Sequence, residues 1–187
     1  MGYALAESFA EAGANVILIS GPVSLCIEHP NIKVIRVTRA EEMYEKCHAF
    51  FPSSTIGVLT AAVADYSPGE QIKEKMKRGK EDWLLRLKPT RDIAASLGKI
   101  KNEKQLLVGF ALETDNEIEN ARTKLLRKNL DLIVLNSLRD EGAGFQGDTN
   151  KITLIDKNNN IDNFELKSKA EVAKDILIKI IRMKDYE

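Results

Sequence analysis

A cluster of basic side chains in the middle of the chain is the feature best suited to catalytic chemistry. The segment from Val108 to Asp131 reads as a buried strand, an acidic turn and a helix whose last turns are basic. The cations of this helix are Arg122, Lys124, Arg127 and Lys128. Cations beside the carboxyl ends of parallel strands are typical of an enzyme that binds a triphosphate. A solvated surface helix with favourable end charges would show the same pattern.

The composition indicates one ordinary globular domain and excludes several classes of protein. The 187 residues are 43% apolar and 30% charged, which suits a single domain over residues 1–187. The 28 basic and 28 acidic residues cancel, so no overall field favours nucleic acid or an anionic membrane as a partner. Cys26 and Cys47 form neither a CxxC zinc motif nor a disulfide framework. No apolar run approaches the ~20 residues of a membrane span and no signal peptide opens the chain, so we expect a cytoplasmic protein.

Strand-like and helix-like segments alternate along most of the chain. Apolar runs predict strands at Asn15–Ser20, Ile32–Val37, Thr55–Leu59, Gln105–Ala111, Leu130–Leu135 and Lys151–Ile155. Periodic segments predict helices at Ala4–Ala12, Arg39–Phe50, Thr90–Leu97, Asp115–Lys128 and Lys167–Met183. The alternation predicts an α/β fold of the Rossmann-like, doubly wound kind, with a mostly parallel sheet and helices on both faces. In such a fold, ligands bind at the carboxyl ends of the strands.

The starts of three helices carry local signals. Thr38 with Glu41 three residues later predicts a capping box before the helix that begins at Arg39. Thr90, or Pro89 before it, suits the start of the next helix. The acidic residues expected at the start of the basic helix are Glu113, Asp115, Glu117 and Glu119. Acidic residues first and basic residues last is the order that the helix macrodipole favours.

Two segments interrupt the alternation, and one expected motif is missing. Ser67–Lys88 is strongly charged and predicts a hairpin that leaves the body of the domain. Ser137–Asn150 is a glycine-rich loop with one aromatic residue, Phe145. Nucleotide-binding α/β domains normally begin with a strand, a glycine loop and a helix, but no GxGxxG or GxxxxGKS/T motif occurs and no strand precedes Ala4. The nucleotide is therefore held elsewhere, or the natural polypeptide extends upstream.

Several segments, in order along nearly the whole chain, together resemble one enzyme family. They are Met1-Gly2, Gly13–Leu25, Ala61–Tyr66 (AAVADY), Lys88–Ile93 (KPTRDI), Val108–Thr114 (VGFALET), Arg122–Asn136 and Gly144–Ile155. The family is the phosphopantothenoylcysteine synthetase domain, or phosphopantothenate–cysteine ligase, which in most bacteria is the C-terminal half of a bifunctional coenzyme A biosynthesis protein. The resemblance implies a homodimeric ligase that joins 4′-phosphopantothenate to cysteine through an acyl-cytidylate formed from CTP. We expect Mg²⁺ to accompany the triphosphate.

The resemblance assigns Lys124 as the catalytic lysine, which closes over the triphosphate, and Lys128 as a second phosphate contact. The nucleotide-binding residues that it implies are Gly109, Phe110, Ala111, Leu112, Asp115, Lys124, Lys128 and Phe145. Leu112 stands where family members often carry Ala or Lys, so we expect its contact to be made by the backbone. Asp115 would contact the ribose or a cation, and a helix N-cap explains it equally well. Phe145 would pack against the nucleotide or, alternatively, into the core.

The resemblance also implies that small residues line the phosphopantothenate side of the site. The substrate-binding residues that it implies are Ala61, Ala62, Val63, Ala64, Asp65, Asn136, Lys73 and Lys75. The segment of about residues 67–88 resembles the family's dimerisation flap, whose Lys73 and Lys75 would reach the substrate phosphate in the neighbouring subunit. A charged, solvated hairpin is the alternative for this segment, and turn positions are the alternative for Asp65 and Asn136. No residue is assigned as a metal ligand.

The chain departs from the family at its start, and this keeps two other functions open. The family carries a strand and an Asn-His-Ser-Ser-Gly-Lys-type loop just before the position of Met1. We therefore expect the natural polypeptide to extend upstream, with or without a fused flavin-dependent phosphopantothenoylcysteine decarboxylase domain. Without that loop, the chain would be a non-catalytic CTP-binding or dimerisation remnant. A dinucleotide-dependent Rossmann enzyme would need an acidic residue after the second strand and a glycine loop, and Ser20-Gly21-Pro22 supplies neither.

Overall fold

A computed structural model describes residues 1–70, 74, 84–113, 115–137 and 148–185 of the chain. The helices are α1 (Gly2–Glu11), α2 (Ala40–Phe50), α3 (Ile93–Ile100), α4 (Glu117–Arg127) and α5 (Lys169–Asp185), and a short 3₁₀ helix covers Phe51–Ser53. The strands are β1 (Val16–Ser20), β2 (Ile32–Arg36), β3 (Ile56–Leu59), β4 (Tyr66–Pro68), β5 (Leu87–Pro89), β6 (Leu106–Glu113), β7 (Leu132–Ser137), β8 (Thr149–Asn150), β9 (Ile152–Asp156), β10 (Ile161–Asn163) and β11 (Lys167–Ser168).

The central sheet has five strands in the order β10-β9-β7-β6-β3. β3, β6 and β7 are parallel, with Val108 of β6 opposite both Val58 of β3 and Leu132 of β7. β9 runs antiparallel to β7, and β10 runs antiparallel to β9. The carboxyl ends of the three parallel strands therefore meet at one edge of the sheet, where α/β proteins place their ligands. The predicted α/β class, Rossmann-like with a mostly parallel sheet, is confirmed.

Helices cover both faces of this sheet, because its strands carry apolar side chains on both sides. The face beneath α1 and α5 has a core of Leu5, Leu106, Val108, Leu132, Val134, Ile152, Leu154, Val172, Ala173, Ile176 and Ile180. The face beneath α2, α3 and α4 has a core of Val37, Met43, Phe51, Ile93, Leu97, Leu107, Ala111, Ala121, Leu125, Leu130, Ile133, Leu135 and Ile155. Leu106 and Leu107 thus point to opposite sides of β6, as the two-residue period of a strand requires.

β1 and β2 form a parallel pair that is separate from the central sheet. A cavity of about 950 Å³ lies between the two, and its lining includes Ile17 and Ile19 of β1 and Ile56 and Val58 of β3. Helix α1 packs on β1 at one end of this gap and on α5, beneath the central sheet, at the other. Among the described residues, the doubly wound sheet expected from the sequence is therefore divided into two pieces beside β3.

The capping box of α2 lies one residue further along than predicted. The N-cap residue is Arg39, and Glu42 is the third residue of the helix. Glu42 Oε2 accepts hydrogen bonds from the backbone N–H groups of Thr38 at 2.8 Å and Arg39 at 3.2 Å. The Thr38 N–H bond, together with the Arg39 side chain and N–H, lowers the pKa of Glu42 to about 2. Glu41 stands one position too early to reach back in this way.

Helix α3 begins at Ile93 rather than at the predicted Thr90. Its N-cap is Asp92, whose Oδ1 accepts a hydrogen bond of 3.0 Å from an N–H group in the first turn. Thr90 lies outside the helix: its N–H donates to the carbonyl of Asp65 at 2.8 Å, and its hydroxyl donates to the carbonyl of Ala64 at 2.6 Å. Thr90 therefore does not start a helix; its two hydrogen bonds hold the segment that follows β3 in place.

Strands β4 and β5 are the two ends of the segment predicted as a hairpin. They pair antiparallel, with Ser67 opposite Lys88, which confirms the base of a hairpin. Residues 71–73 and 75–83 are outside the described ranges, so the role of this segment as a dimerisation flap stays a prediction.

The last helix, α5, starts at Lys169 rather than at Lys167, because Lys167 and Ser168 form β11 and pair with β8. Glu171 then accepts hydrogen bonds from the N–H and the hydroxyl of Ser168 at 3.0 and 2.6 Å. None of the helices that the structure describes is both long and apolar enough to cross a bilayer.

Candidate active site

The cavity beside β3 brings together residues that the sequence predicts for two different roles. Its lining includes Gly109, Phe110, Lys124 and Lys128 of the nucleotide set, and Ala61, Val63 and Asp65 of the substrate set. Six other predicted site residues are described by the structure but lie outside this lining: Ala62, Ala64, Ala111, Leu112, Asp115 and Asn136. Lys73, Lys75 and Phe145 belong to the part of the chain that the structure does not describe. The predicted lysines and the predicted small residues therefore border one space beside β3.

The second half of β6 carries four of the predicted nucleotide-binding residues. Gly109 is a close-contact position, since a Cβ there would lie 2.6 Å from Cδ1 of Leu130. Ala111 is buried, whereas Phe110 and Leu112 are half-buried. Of these four residues, Gly109 and Phe110 line the cavity, and contact of Gly109–Leu112 with a nucleotide stays a prediction.

Lys124 is held by a carboxylate to which sequence reasoning gave no such role. Its Nζ donates to Oε1 of Glu113 at 2.5 Å, with the lysine side chain 40% exposed and the glutamate 12% exposed. Glu113 was predicted among the acidic residues of the helix start, but it is the last residue of β6. Helix α4 starts later than predicted, at Glu117, because Asn116 before it takes a left-handed conformation that ends the turn. Glu113 therefore belongs to the strand and not to the helix.

Lys128 is also paired with a carboxylate, that of Asp92, which lines the same cavity. Its Nζ lies 2.9 Å from Oδ2 of Asp92, which is 45% exposed and also caps α3. Partial burial raises the pKa of Asp92, but the hydrogen bonds from the Ala95 N–H and Lys128 together lower it by more. The pKa of Asp92 therefore lies below its usual value. Both predicted phosphate-binding lysines therefore carry carboxylate partners in this structure, and an incoming phosphate must share or replace them.

The alternative interpretation of Asp115 as a helix N-cap is wrong. The N-cap of α4 is Asn116, with φ of 44°, and its side chain makes no capping bond. Asn120 Nδ2 instead donates to the backbone carbonyl of Asp115 at 2.8 Å, which orders the turn between β6 and α4. The Asp115 side chain is exposed beside this turn, and its contact with ribose or a cation stays a prediction.

The small residues after β3 form an exposed segment at the cavity. Thr90 fixes this segment through hydrogen bonds to the carbonyls of Ala64 and Asp65.

Arg91 also lines the cavity, with its guanidinium 3.7 Å from the ring centre of Tyr44 and an ion pair to Glu41. No role was predicted for Arg91, although it lies in the KPTRDI segment on which the family resemblance partly rests.

Asn136 ends the apolar part of β7, opposite Leu112 of β6. Its Oδ1 is shielded from solvent and accepts no hydrogen bond from the residues that the structure describes. A shielded amide oxygen without a donor is costly, on the order of 1–3 kcal/mol, so this atom is suited to receive an N–H or O–H group from a ligand. Asn136 thus lies at the carboxyl end of β7, and its contact with substrate stays a prediction.

No group of three or more His, Cys, Asp or Glu side chains able to hold a metal ion occurs within the described ranges. Asp65 is an exposed carboxylate on the cavity lining. One such carboxylate is the usual protein share of a magnesium site whose other ligands are phosphate oxygens and water. The described residues therefore fit a magnesium ion that arrives with a polyphosphate better than a resident ion.

Comparison with known proteins identifies the family of this chain. The family model described as the DNA/pantothenate metabolism flavoprotein C-terminal domain matches residues 1–183. The chain is 56% identical over 183 residues to a protein named cysteine/cysteine sulfinic acid decarboxylase, from an unknown prokaryotic organism, and the match covers 98% of this chain and 51% of that protein. It is 45% identical over 180 residues to the coenzyme A biosynthesis bifunctional protein CoaBC of Bacillus subtilis (strain 168), covering 96% of this chain and 44% of that protein.

Two solved structures share the fold. A crystal structure of the C-terminal domain of CoaBC superimposes with a TM-score of 0.81 and 34% identity, over 99% of this chain and 82% of that one. A Cab2 mutant in complex with phosphopantothenate-cysteine gives a TM-score of 0.72 at 17% identity, which shows a common fold alone.

The chain spans about half the length of the curated relatives it matches. The names of those proteins therefore describe molecules with at least one further region. Because the family model covers almost the entire chain, this chain belongs to the DNA/pantothenate metabolism flavoprotein C-terminal domain family, and it is homologous to the C-terminal domain of CoaBC.

Proposed function

We propose that this chain is the nucleotide- and substrate-binding domain of a CTP-dependent phosphopantothenate–cysteine ligase. The observation that carries the proposal is the shared cavity, where Lys124 and Lys128 border the same space as the small-residue segment Ala61–Asp65. Homology to CoaBC supports a role in coenzyme A biosynthesis. The phosphopantothenate-cysteine bound by Cab2, a protein of the same fold, supports this substrate class.

The reaction has two steps, and both suit a site rich in cations and poor in nucleophiles. A carboxylate oxygen of 4′-phosphopantothenate attacks the α-phosphorus of CTP, and pyrophosphate leaves. The amine of cysteine then attacks the acyl carbon, loses a proton and displaces CMP, which takes the electron pair of the broken acyl–oxygen bond. The protein's main task is to neutralise and align phosphate oxygens, which is the role proposed for Lys124 and Lys128.

The nucleotide lies against the end of β6 in this proposal. The backbone of Gly109–Leu112 meets the cytosine edge, Lys124 and Lys128 contact the triphosphate, and Asp115 faces the ribose or a cation. Phe145, outside the described residues, packs on the nucleotide. The position of Gly109 and Phe110 on the lining of the cavity that Lys124 and Lys128 also border supports this placement.

Phosphopantothenate lies against the segment that follows β3. Ala61–Ala64 expose backbone with little side-chain bulk, so a ligand can approach closely. Asn136 supplies its Oδ1, which has no hydrogen-bond partner among the described residues, to a donor of the substrate. Lys73 and Lys75, outside the described residues, contact the substrate phosphate in the neighbouring subunit of a homodimer.

The remaining parts of the proposal concern the whole protein. Magnesium enters with the triphosphate, and Asp65 is a carboxylate of the right type beside it. The natural polypeptide supplies a further strand and a loop before α1, and it is fused to or associated with a flavin-dependent phosphopantothenoylcysteine decarboxylase in the cytoplasm. The half-length matches to CoaBC support such an additional region.

The test uses the longest natural polypeptide that contains this chain. Pyrophosphate release from CTP is measured with 4′-phosphopantothenate and magnesium, with and without cysteine. We expect release only when phosphopantothenate is present, and CMP only after cysteine is added. Absence of release from a folded protein that still binds CTP would support the non-catalytic remnant instead, and hydride transfer to a dinucleotide would contradict the ligase altogether.

A further inference from the structure

Glu113 has an environment that separates it from an ordinary surface carboxylate. It ends β6, its backbone lies opposite Ser137 of β7, and its side chain is largely enclosed. Oε1 accepts the 2.5 Å bond from Lys124, and Asn120 Nδ2 lies 3.5 Å from Oε2. Lys124 thus supplies the positive charge that balances this carboxylate.

The second lysine–carboxylate pair at the cavity behaves differently. Asp92 is more exposed than Glu113 and keeps its capping bond to α3 whether or not Lys128 stays near. Water can therefore replace Lys128. Glu113 has little access to water, so removing Lys124 from it would leave a poorly solvated charge, which is costly.

The ammonium group of Lys124 can serve both partners at once. It has three N–H donors, of which the bond to Glu113 uses one. Within the described part of the chain the other two donors have no recorded acceptor, and the side chain is exposed enough for them to reach an anion in the cavity that Lys124 lines. Glu113 therefore restricts where this ammonium group can lie while leaving it able to bind phosphate.

We propose that Glu113 is a positioning residue, which anchors the Lys124 ammonium group at the cavity so that its remaining N–H groups meet the polyphosphate. This inference rests on the proposed function. Glu113 then has two opposing effects: its negative charge weakens binding of a polyanion, and its hydrogen bond orients the lysine that acts on that polyanion.

The test compares four forms of the 187-residue chain: wild type, Glu113→Gln, Lys124→Gln and a control, Asp175→Asn. Asp175 forms a similar partly buried pair with Lys167 at 2.7 Å and does not line the cavity. Calorimetry measures the binding of inorganic triphosphate at low salt. We expect Glu113→Gln to tighten binding about threefold, because the charge of Lys124 is then no longer shared with a carboxylate, and Asp175→Asn to leave binding unchanged.

Two further measurements separate positioning from a merely structural role. In the double variant Glu113→Gln with Lys124→Gln, the tightening should disappear, because the two residues act as one unit. In the longest natural polypeptide, Glu113→Gln should lower kcat for pyrophosphate release about tenfold through loss of alignment while KM for CTP falls. A merely structural pair would change Tm without opposite changes in kcat and KM.

The outcomes distinguish this inference from the proposed ligase. Tighter triphosphate binding without CTP turnover in any form would end the ligase proposal and leave Glu113 as the anchor of Lys124. Wild-type turnover of CTP with an unaltered Glu113→Gln variant would overturn the inference and keep the ligase. Failure of the wild type to bind triphosphate, or an equal change in Asp175→Asn, would also overturn the inference.

Discussion

The central sheet and the β1–β2 pair show two ways of holding strands in one α/β domain. β6 and β7 each have a strand on both edges and helices on both faces, and Leu107 and Leu132 are fully buried. β1 has its described strand partner on one edge alone, and Ile17 is 39% exposed. Gly109 and Glu113 belong to the enclosed part, so the residues proposed to place the nucleotide and Lys124 lie on the more rigid element.

The backbone of β1 shows which of its groups face the gap. The N–H of Val16 donates to the carbonyl of Asn31 before β2. Polar groups of successive residues in a strand point in alternate directions. Ile17 and Ile19 therefore turn their N–H and C=O groups away from β2 and toward the cavity that they line.

The edge of β3 has the same property on the other side of the gap. The carbonyl of Thr55 accepts a hydrogen bond of 3.0 Å from Leu106 N–H, so alternation turns Ile56 and Val58 away from β6. These two residues line the cavity as well. The two edges thus face one space, and both are suited to pair with a parallel strand between them.

A matched pair of truncations tests the contrast in stability between the two regions. Ile176→Ala, in the fully buried core beneath α5, should destabilise the chain by about 4 kcal/mol through lost burial and a residual cavity. Ile17→Ala should cost about 1 kcal/mol, because that side chain is already partly exposed. Urea unfolding followed by circular dichroism measures both, and equal losses would contradict the contrast.

Substitution of two glycines by alanine tests whether the surrounding atoms can move to make room for an added Cβ. An added Cβ at Gly98 would lie 2.0 Å from the carbonyl oxygen of Lys128, a backbone atom, so Gly98→Ala should cost about 3 kcal/mol. At Gly57 the nearest atoms belong to the side chains of Phe51 and Leu107, at 2.9 and 3.0 Å.

Phe51 also lines the cavity and has room to shift, so Gly57→Ala should cost about 1 kcal/mol. The same urea unfolding experiment compares the two variants. A larger loss for Gly57→Ala than for Gly98→Ala would mean that the side chains beside the gap are as fixed as the backbone of the enclosed region.

Supplying a strand tests whether the gap is a place for one. A short segment of alternating Val and Ile, joined before Met1 through a Gly-Ser loop, should raise Tm by about 5 °C, or about 2 kcal/mol for a domain of this size. Hydrogen exchange should slow at the amides of Ile17, Ile19, Ile56 and Val58. The control replaces alternate residues of the added segment by proline, which removes its N–H donors. Equal protection with both segments would contradict strand pairing.

The acid response of the enclosed region should depend on Asp156, at the end of β9. Burial raises the pKa of Asp156, but hydrogen bonds from Asn160 and Lys179 lower it more, so it lies below its usual value. A carboxyl with a lowered folded pKa stabilises the fold above its unfolded pKa of about 3.9, and this stabilisation is lost as pH falls through the folded value.

The measurement is the urea midpoint of wild type and Asp156→Asn between pH 7 and pH 3. The advantage of the wild type should be constant down to about pH 5 and shrink below about pH 4, because the carboxyl is then partly protonated in the unfolded chain. An advantage that grows toward pH 3 would reverse the assigned direction of the pKa shift.

Sequence patterns predict the strands of the central sheet well, because their apolar runs are short, uninterrupted and bounded by turn residues. The run at Leu106–Ala111 and the run before Asn136 both form buried strands close to their predicted bounds. The direction of β9 depends on a partner distant in sequence, so no local pattern reports it. The separation of β1 from β3 likewise depends on which edges pair.

In the candidate site, too, contacts between residues distant in sequence could not be predicted. The i, i+4 spacing places Lys124 and Lys128 on one face of α4, and both line the cavity. Their partners Glu113 and Asp92 could not be predicted, because one depends on where a left-handed turn ends and the other on the packing of α3 against α4. Helix caps were misplaced at Glu41 and Thr90 because several neighbouring polar residues suit a cap. A local hydrogen bond selects Glu42 over Glu41, and long-range hydrogen bonds to the segment after β3 keep Thr90 out of α3.

The most direct test of the central claim, that Lys124 binds the triphosphate of CTP in this cavity, is a calorimetric titration of CTP with magnesium. It compares wild type with Lys124→Gln and with Lys174→Gln, an exposed lysine on α5 that does not line the cavity. We expect Lys124→Gln to weaken binding at least about tenfold through the loss of a charge-assisted contact, and Lys174→Gln to bind as wild type does. Equal affinities in all three proteins would contradict the claim.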